Sequence, residues 1–233
     1  MITSFKIYGE RNTGTNYISA LIKENTDLID LGGHWDTKYG WKHDIINTNK
    51  IISDSENSQT LFLHIYKNPY SWILSMRRKP HHMPHLRNLE LPAFINHKWD
   101  ERSLFKTSNR VGLNINLKSY DNIIDLRYQK IISHGSLKNI VNNYFEISYE
   151  NLMNDPDLFI QNICNEFNLE KPISFKNITE KCEPITANGI PYKILNDYYI
   201  NEKWKDRLNK EVIEQINNKL NIELEKKLGY TIL

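Results

Sequence analysis

A loop near the start of the chain has the residue types of an anion-binding site. Residues 9–16 read GERNTGTN, so that four residues separate Gly9 from Gly14. Glycines at this spacing let successive backbone N–H groups converge on a phosphate, which the N-terminus of a following helix also attracts. Loops that bind nucleoside triphosphates place a lysine directly after the second glycine, and this chain has Thr15 there. We therefore expect the loop to hold a single terminal phosphate group, although two glycines could also form a plain turn between a strand and a helix.

A second stretch offers a cation and a hydroxyl group for another anion. Residues 66–75 read YKNPYSWILS, with Lys67 eight residues before Ser75. A predicted buried strand ends at residue 66, which places Lys67 at the carboxyl end of a sheet, where α/β proteins bind ligands. Two turns of helix can bring Ser75 back to the same place. Taken alone, the pair favours a solvated lysine and a small residue at a helix contact.

Three closely spaced histidines, His81, His82 and His85 in HHMPH, could share a metal ion. No carboxylate or cysteine nearby completes a set of ligands. We therefore expect no metal site, and we assign this stretch to a polar lid over a ligand.

The elements that would position these residues alternate between strands and helices. Strand patterns occur at residues 5–8, 61–66 and 144–150, and they are followed by helical patterns at residues 15–23, after Pro69 and at residues 154–169. This alternation predicts an α/β fold with a parallel sheet flanked by helices.

Two further helices and two irregular regions complete the expected domain. Residues 119–135 predict a helix ended by Gly135, and residues 210–230 predict a closing helix ended by Gly229. Residues 79–118, with weak periodicity, predict a lid or insertion, and residues 170–205 are also irregular. The chain is therefore expected to form one domain over residues 1–233.

Composition gives no indication of a nucleic-acid partner or a membrane span. The 233 residues are 39% hydrophobic, which suffices for one α/β domain, and the net charge is +2 without a basic stripe. No apolar run has the length of a membrane span, and the first residues lack the layout of a signal peptide. The two cysteines lack the spacing of a zinc site or a disulfide framework, as is typical of a reducing compartment. We therefore expect a soluble, cytoplasmic protein.

Taken together, these segments resemble the sulfotransferases that use 3′-phosphoadenosine 5′-phosphosulfate (PAPS). GERNTGTNYI is similar to the family's loop around the 5′-phosphate of the donor, and KNPYSWILS is similar to its 3′-phosphate signature. SYENLMNDPDLFIQNICNEFNL resembles the family's Tyr-Glu-Asp-Leu strand and the helix after it, and LEKKLGY fits bacterial-type members. The resemblance covers roughly residues 5–169. It implies a three-layer P-loop-type fold with a mostly parallel central sheet.

The resemblance also implies which residues contact the donor. Those expected around its phosphates and adenine are Arg11, Asn12, Thr13, Gly14, Thr15, Asn16, Tyr17, Lys67, Ser75, Tyr149 and Lys193. Two positions depart from the family's pattern. Asn12 stands where many members have a lysine or arginine, with Arg11 one residue earlier, and Lys67 replaces the usual arginine, which gives charge without a flat two-pronged contact.

For catalysis the resemblance implies a base for the acceptor hydroxyl and positive charge near the sulfuryl group. His43 in YGWKH is the first candidate for the base, because similar enzymes carry a lysine and a histidine on or just after the second strand, and an imidazole with a pKa of about 6.5 suits this step. Lys42 and Arg11 would neutralise charge on the sulfate and the leaving phosphate. His34 is the second candidate, and His64, inside a strand pattern, is expected to be structural. His43 could alternatively be a hydrogen-bonded edge residue.

The predicted activity is in-line transfer of a sulfuryl group from PAPS to an acceptor hydroxyl, which releases adenosine 3′,5′-bisphosphate and needs no metal ion. Two alternatives stay open, a P-loop kinase that uses ATP and a nucleotide-binding protein without catalysis. The acceptor is expected to be a small molecule or a carbohydrate, and the sequence favours no particular one and no particular oligomeric state.

Overall fold

A parallel four-stranded sheet forms the centre of the fold. The computed structural model describes residues 1–34, 37–81, 83–101, 118–178 and 197–233. The strands in these ranges are β1 (Ser4–Tyr8), β2 (Ile29–Asp30), β3 (Thr60–Tyr66), β4 (Trp99–Asp100), β5 (Ser119–Tyr120) and β6 (Tyr144–Ser148). The main sheet has the order β2-β1-β3-β6 with every pairing parallel, and β4 pairs with β5 in a separate antiparallel ribbon. The predicted parallel sheet is thus confirmed.

Helices alternate with the strands along the chain. They are α1 (Thr15–Asn25), α2 (Thr48–Ile52), α3 (Pro69–Arg78), α4 (Leu91–Asn96), α5 (Ile123–Gly135), α6 (Tyr149–Asn154), α7 (Pro156–Glu166), α8 (Lys210–Asn217) and α9 (Ile222–Lys227). Within the described ranges, no helix combines the length and the apolar character that crossing a bilayer requires.

The sheet is buried on both faces. Leu61, Leu63 and Ile65 of β3 pack into the larger apolar cluster, whereas Phe62 packs into a second cluster together with Tyr8 of β1. Since successive side chains of a strand point to opposite faces, the two clusters lie on opposite sides of the sheet. Every residue of β1 and β3 is buried, as expected for central parallel strands. The arrangement is consistent with a three-layer α/β fold.

Asparagine side chains begin many of the helices. The side chains of Asn47, Asn68, Asn122, Asn209 and Asn221 accept hydrogen bonds from backbone N–H groups in the first turns of α2, α3, α5, α8 and α9. Such a cap satisfies N–H groups that have no partner inside the helix. The abundance of asparagine in this chain therefore has a structural use.

Three boundaries differ from those that the sequence predicts. The closing helix is two helices, because Asn221 caps α9 and interrupts the pattern after Asn217. The strand predicted to reach residue 150 ends at Ser148, whose side chain caps α6, so Tyr149 begins a helix. The helix predicted over residues 119–135 begins only at Ile123, because residues 119–120 form β5 and Asn122 caps α5, and it ends at Gly135 as predicted.

The two regions predicted to be irregular are described only in part. Within residues 79–118 the chain forms a 3₁₀ turn at residues 84–88, then α4 and β4, and residues 102–117 lie outside the described ranges. Residues 179–196 of the second region also lie outside them, and this stretch includes Lys193.

The carboxyl ends of β1 and β3 mark the point where the strand order reverses. From β1 the chain passes through α1 to β2 on one side, and it then returns to β3 on the other side. Open α/β sheets bind their ligands in the crevice at such a point. The loop at residues 9–14 and the start of α3 lie at this edge.

Candidate functional site

The loop after β1 is a tight turn that only glycine can form at two positions. A Cβ atom on Gly9 would lie 2.5 Å from the carbonyl oxygen of Ile65, and one on Gly14 would lie 2.5 Å from the ring of Tyr149. Gly14 also has a φ of 96°, which disfavours other residues. The N–H and the hydroxyl of Thr13 both donate to the Glu10 carbonyl, at 3.2 and 2.6 Å, and close the turn.

The first turn of α1 is open to an anion. Gly14 is the N-cap, no side chain caps the helix, and no acidic residue lies in its first turn. Backbone N–H groups at such a terminus point outward along the helix axis and attract negative charge. Asn16 is exposed beside them, whereas Thr15 is buried. The geometry is therefore compatible with the predicted phosphate-binding loop.

Hydrogen bonds connect His43 and Lys42 directly to this loop. The Gly9 N–H donates to the Lys42 carbonyl at 3.0 Å, and the Nδ1–H of His43 donates to the Gly9 carbonyl at 2.5 Å. The Nζ of Lys42 donates to the side-chain oxygen of Asn16 at 2.5 Å. Because a carbonyl can only accept, the hydrogen of the neutral imidazole is on Nδ1 and the lone pair is on Nε2.

The imidazole of His43 is neutral at physiological pH. Burial, together with the neighbouring cations Lys42 and Arg11, holds the pKa of His43 well below 6.5. Burial also lowers the pKa of Lys42, against the opposing effect of Asp30. A neutral histidine beside a lysine can take a proton from a hydroxyl group, but the lowered pKa makes it a weaker base than the imidazole with a pKa of about 6.5 that the sequence predicts.

Side chains from other elements hold the segment that carries His43. The buried Nζ of Lys6, in the middle of β1, donates to the carbonyls of Gly32 and Gly40 at 2.8 and 2.6 Å. Lys130 of α5 donates to the His43 carbonyl at 2.6 Å, and the Nε2–H of His134 donates to the Asp44 carbonyl at 2.9 Å. These positioning residues were not predicted from the sequence. The only one that the sequence could have indicated is Lys6, because a lysine is unusual inside a fully buried strand.

Lys67 and Ser75 meet as their spacing predicts. The Nζ of Lys67 donates to the Ser75 hydroxyl at 3.2 Å, and both side chains are buried. The Nζ lies 3.6 Å from the ring centre of Tyr199 and 4.6 Å from that of Tyr149. Burial lowers the pKa of Lys67. A buried cation and hydroxyl are thus brought together at the carboxyl end of β3.

Tyr199 covers this pair and was not predicted. Its hydroxyl lies 3.2 Å from the Ser75 hydroxyl. Burial opposes ionisation of the phenol, but the Lys67 ammonium and the Ser75 hydroxyl outweigh burial and lower the pKa of Tyr199 to about 8. The phenolic oxygen of Tyr199 therefore already occupies the place beside Lys67 and Ser75.

One aromatic ring lies between the two predicted anion sites. The ring of Tyr149 is the nearest neighbour of a Cβ placed on Gly14, and the same ring faces the Nζ of Lys67. The loop and the Lys67 pair are therefore neighbours along the same edge of the sheet. A cavity of about 360 Å³ opens beside Tyr199, and its lining includes Asn68, Ser148 and Glu150 but neither Lys67 nor a residue of the loop.

Arg11 and Asn12 are held by contacts within the protein. The Arg11 guanidinium is buried, pairs with Glu101 at 2.5 Å and stacks on Trp41 at 5.0 Å. The carboxylates of Glu10 and Glu101 outweigh burial and raise the pKa of Arg11. Asn12 has a φ of 63°, and its amide donates to the Lys79 carbonyl at 3.0 Å. These contacts within the protein fix both side chains, and the predicted contacts of Arg11 and Asn12 with the donor stay predictions.

The remaining predicted residues lie in different surroundings. The Tyr17 hydroxyl donates to the side-chain oxygen of Asn177 at 3.2 Å, and its ring belongs to the core. His34, the second candidate for the base, is exposed. His64 is buried in β3, with its Nδ1 3.2 Å from the Tyr144 hydroxyl. Lys193 lies outside the described residues.

The histidine-rich stretch is described only in part. His81 and His85 are exposed, and His82 lies outside the described residues. In the part of the chain that the structure describes, no group of three histidine, cysteine or acidic side chains could hold a metal ion.

Comparison with known proteins identifies no family for this sequence. No family model matches the sequence, and a search of curated proteins found no match.

Proposed function

We propose that this protein is a PAPS-dependent sulfotransferase with a P-loop-type fold, which transfers a sulfuryl group to a hydroxyl group of an acceptor. The observation that carries the proposal is the hydrogen bond from His43 to the Gly9 carbonyl. It couples a neutral histidine, with its lone pair on Nε2, to the turn whose glycines lead into the open first turn of α1. A base and a phosphate-binding element are thereby joined at the edge of the sheet where ligands bind.

The donor side of the proposed site consists of backbone groups and one lysine. The N–H groups at the start of α1 bind the 5′-phosphate, and Lys42, next to Asn16, supplies positive charge to the sulfuryl oxygens. Arg11 is already paired with two carboxylates. Lys42 is therefore the principal cation in the proposed reaction. Arg11 stabilises the loop through its buried ion pairs with Glu10 and Glu101.

The proposed reaction breaks one bond to sulfur and forms another. The Nε2 of His43 takes the proton of the acceptor hydroxyl as its oxygen attacks the sulfur atom. The bond between sulfur and the bridging oxygen breaks, and its electron pair stays on the 5′-phosphate, which leaves as part of adenosine 3′,5′-bisphosphate. Because fixed groups stabilise the charge that develops on the oxygens, no metal ion takes part in this step.

The 3′-phosphate binds at Lys67 and Ser75 in the same proposal. Both groups now contact Tyr199, so the phosphate replaces the phenolic oxygen as their partner. Tyr199 must therefore move aside when the donor binds. The buried cation favours a doubly charged phosphate over a phenol, because charge–charge attraction is strong where water is excluded.

Ligand binding and turnover test the proposal separately. Thermal unfolding is measured with adenosine 3′,5′-bisphosphate, with ATP and magnesium, and with AMP, and the proposal expects the bisphosphate to stabilise the protein most. Equal or greater stabilisation by magnesium-ATP would indicate the kinase instead. Bisphosphate release from PAPS is then measured with phenols and sugars as acceptors.

The base is tested by His43→Ala, with His34→Ala as the matched control. His43→Ala should keep bisphosphate binding and lose transfer, whereas the exposed His34 should be dispensable for both. Tight binding of the bisphosphate without turnover of any acceptor by the unmodified protein would favour the non-catalytic alternative. Transfer that survives in His43→Ala would remove His43 from the proposed role.

A further inference from the structure

A basic cavity of about 880 Å³ lies at the end of α3. Its charged lining consists of four arginines and two acidic residues: Arg77, Arg78, Arg87, Arg207, Glu90 and Asp206. The volume falls within the range of roughly 300–1,000 Å³ that pockets for organic ligands occupy. None of these residues was singled out from the sequence as a binding residue.

The arginines reach the cavity from three separate segments. Arg77 and Arg78 form the last turn of α3, Arg87 lies in the 3₁₀ turn at residues 84–88, and Arg207 lies in another at residues 205–207. Cations in the last turn of a helix stabilise its dipole. This effect accounts for the first two arginines but not for Arg87 and Arg207, which converge on the same space from elsewhere.

The arginines of the cavity outnumber its carboxylates, and their ion pairs are few. The Nε of Arg77 donates to the Leu89 carbonyl at 2.8 Å, and its nearest carboxylate, on the 89% exposed Glu90, is 3.9 Å away. Arg207 lies over the ring of Tyr198. Among the described residues, no carboxylate forms an ion pair with Arg78, Arg87 or Arg207. With four arginines against Glu90 and Asp206, the lining carries an excess of positive charge, and a concave surface with such an excess concentrates anions.

The cavity also has an apolar part. Leu74, Leu91, Leu208 and Val212 contribute to the lining, and Leu91 and Val212 are buried. Guanidinium groups bind sulfate and phosphate through paired N–H donors, whereas the leucines favour the carbon skeleton of a ligand over a free inorganic ion. The lining thus suits an organic molecule with several anionic groups.

We infer that this arginine cavity binds an organic ligand that carries at least two sulfate or phosphate groups. The inference rests on the lining of the cavity alone and does not depend on the proposed function.

The inference is tested with two compact polyanions and a neutral analogue. Binding of sucrose octasulfate, inositol hexakisphosphate and sucrose is measured by titration calorimetry at physiological salt. The double variant Arg87→Ala/Arg207→Ala removes two exposed cations from the cavity, and Lys23→Ala/Lys138→Ala removes two exposed cations elsewhere. Because the cavity variant loses hydrogen bonds between charged groups, it should bind the polyanions at least about tenfold more weakly.

The outcomes separate this inference from the proposed function. Binding of either polyanion that is weakened in the cavity variant alone supports the inference, and the preferred polyanion tells whether the cavity favours sulfate or phosphate. Absence of binding, tight binding of sucrose, or equal weakening in both variants overturns it. Adenosine 3′,5′-bisphosphate is titrated in parallel: if it fails to bind while sucrose octasulfate binds the cavity, the proposed function falls and the cavity remains.

Discussion

Replacing Gly14 with alanine tests the contact that joins the two predicted anion sites. An L-residue in the left-handed region costs about 1–2 kcal/mol, and Gly14 has a φ of 96°. The new Cβ would also lie 2.5 Å from the ring of Tyr149, and overpacking of a tight site costs about 1–3 kcal/mol more. We expect Gly14→Ala to lower the free energy of unfolding by about 2–5 kcal/mol and to weaken bisphosphate binding.

Gly229 provides the matched control for the strain alone. Its φ is 86°, and a Cβ there meets nothing within 4 Å. Gly229→Ala should therefore cost only about 1–2 kcal/mol, as measured by urea unfolding. In a Tyr149→Ala background the cost of Gly14→Ala should fall by about 1–3 kcal/mol, because the clash is gone. Equal costs at Gly14 and Gly229, together with no coupling to Tyr149, would refute the geometry described for this edge of the sheet.

Three further predictions follow from buried polar groups. Lys67→Ala should weaken binding of adenosine 3′,5′-bisphosphate at least about tenfold in calorimetry while sparing AMP, since AMP has no 3′-phosphate; an equal loss for AMP would contradict the assignment. Tyr199→Phe should tighten bisphosphate binding by about two- to tenfold, because one neutral competitor for Ser75 is removed; weaker binding would show that the phenol assists the phosphate. Burial lowers the pKa of His64 and of His134, so below pH 6.5 the unfolded chain binds more protons than the folded one, and stability should be full above that pH and fall beneath it. Each histidine contributes up to about 1.4 kcal/mol per pH unit to this loss, and urea unfolding from pH 7 to pH 5 should show a shallower slope in His134→Asn than in His34→Asn.

The main elements of the fold follow from local patterns. The apolar run at residues 61–66 forms a fully buried strand because parallel strands are covered on both faces. Pro69 begins α3, and Asn68 before it caps the helix. The sequence predicted one closing helix where the structure has two. The apolar spacing continues across Asn221, and only the cap that Asn221 forms shows the break. Helical periodicity alone does not reveal such an interruption.

The candidate site was predictable where it depends on neighbours in the chain. The contact between Lys67 and Ser75 follows from helical spacing, and the tight turn at Gly14 follows from the glycine pattern. The position of Tyr199 does not, since it approaches Lys67 from 132 residues further along the chain and no local pattern marks it. The pairing of Arg11 with Glu101 is equally non-local. It turns the guanidinium toward the protein interior, whereas the motif alone predicted that this group contacts the ligand.

The lysine in the middle of β1 has a consequence for protein engineering. Residues 32–34 and 37–44 accept hydrogen bonds from Lys6, Lys130 and His134, which reach them from a strand and a helix, in addition to the bonds within the segment. Grafting this segment onto another scaffold would therefore not preserve the orientation of His43. The side chains that hold the segment in place belong to other elements and would be absent there.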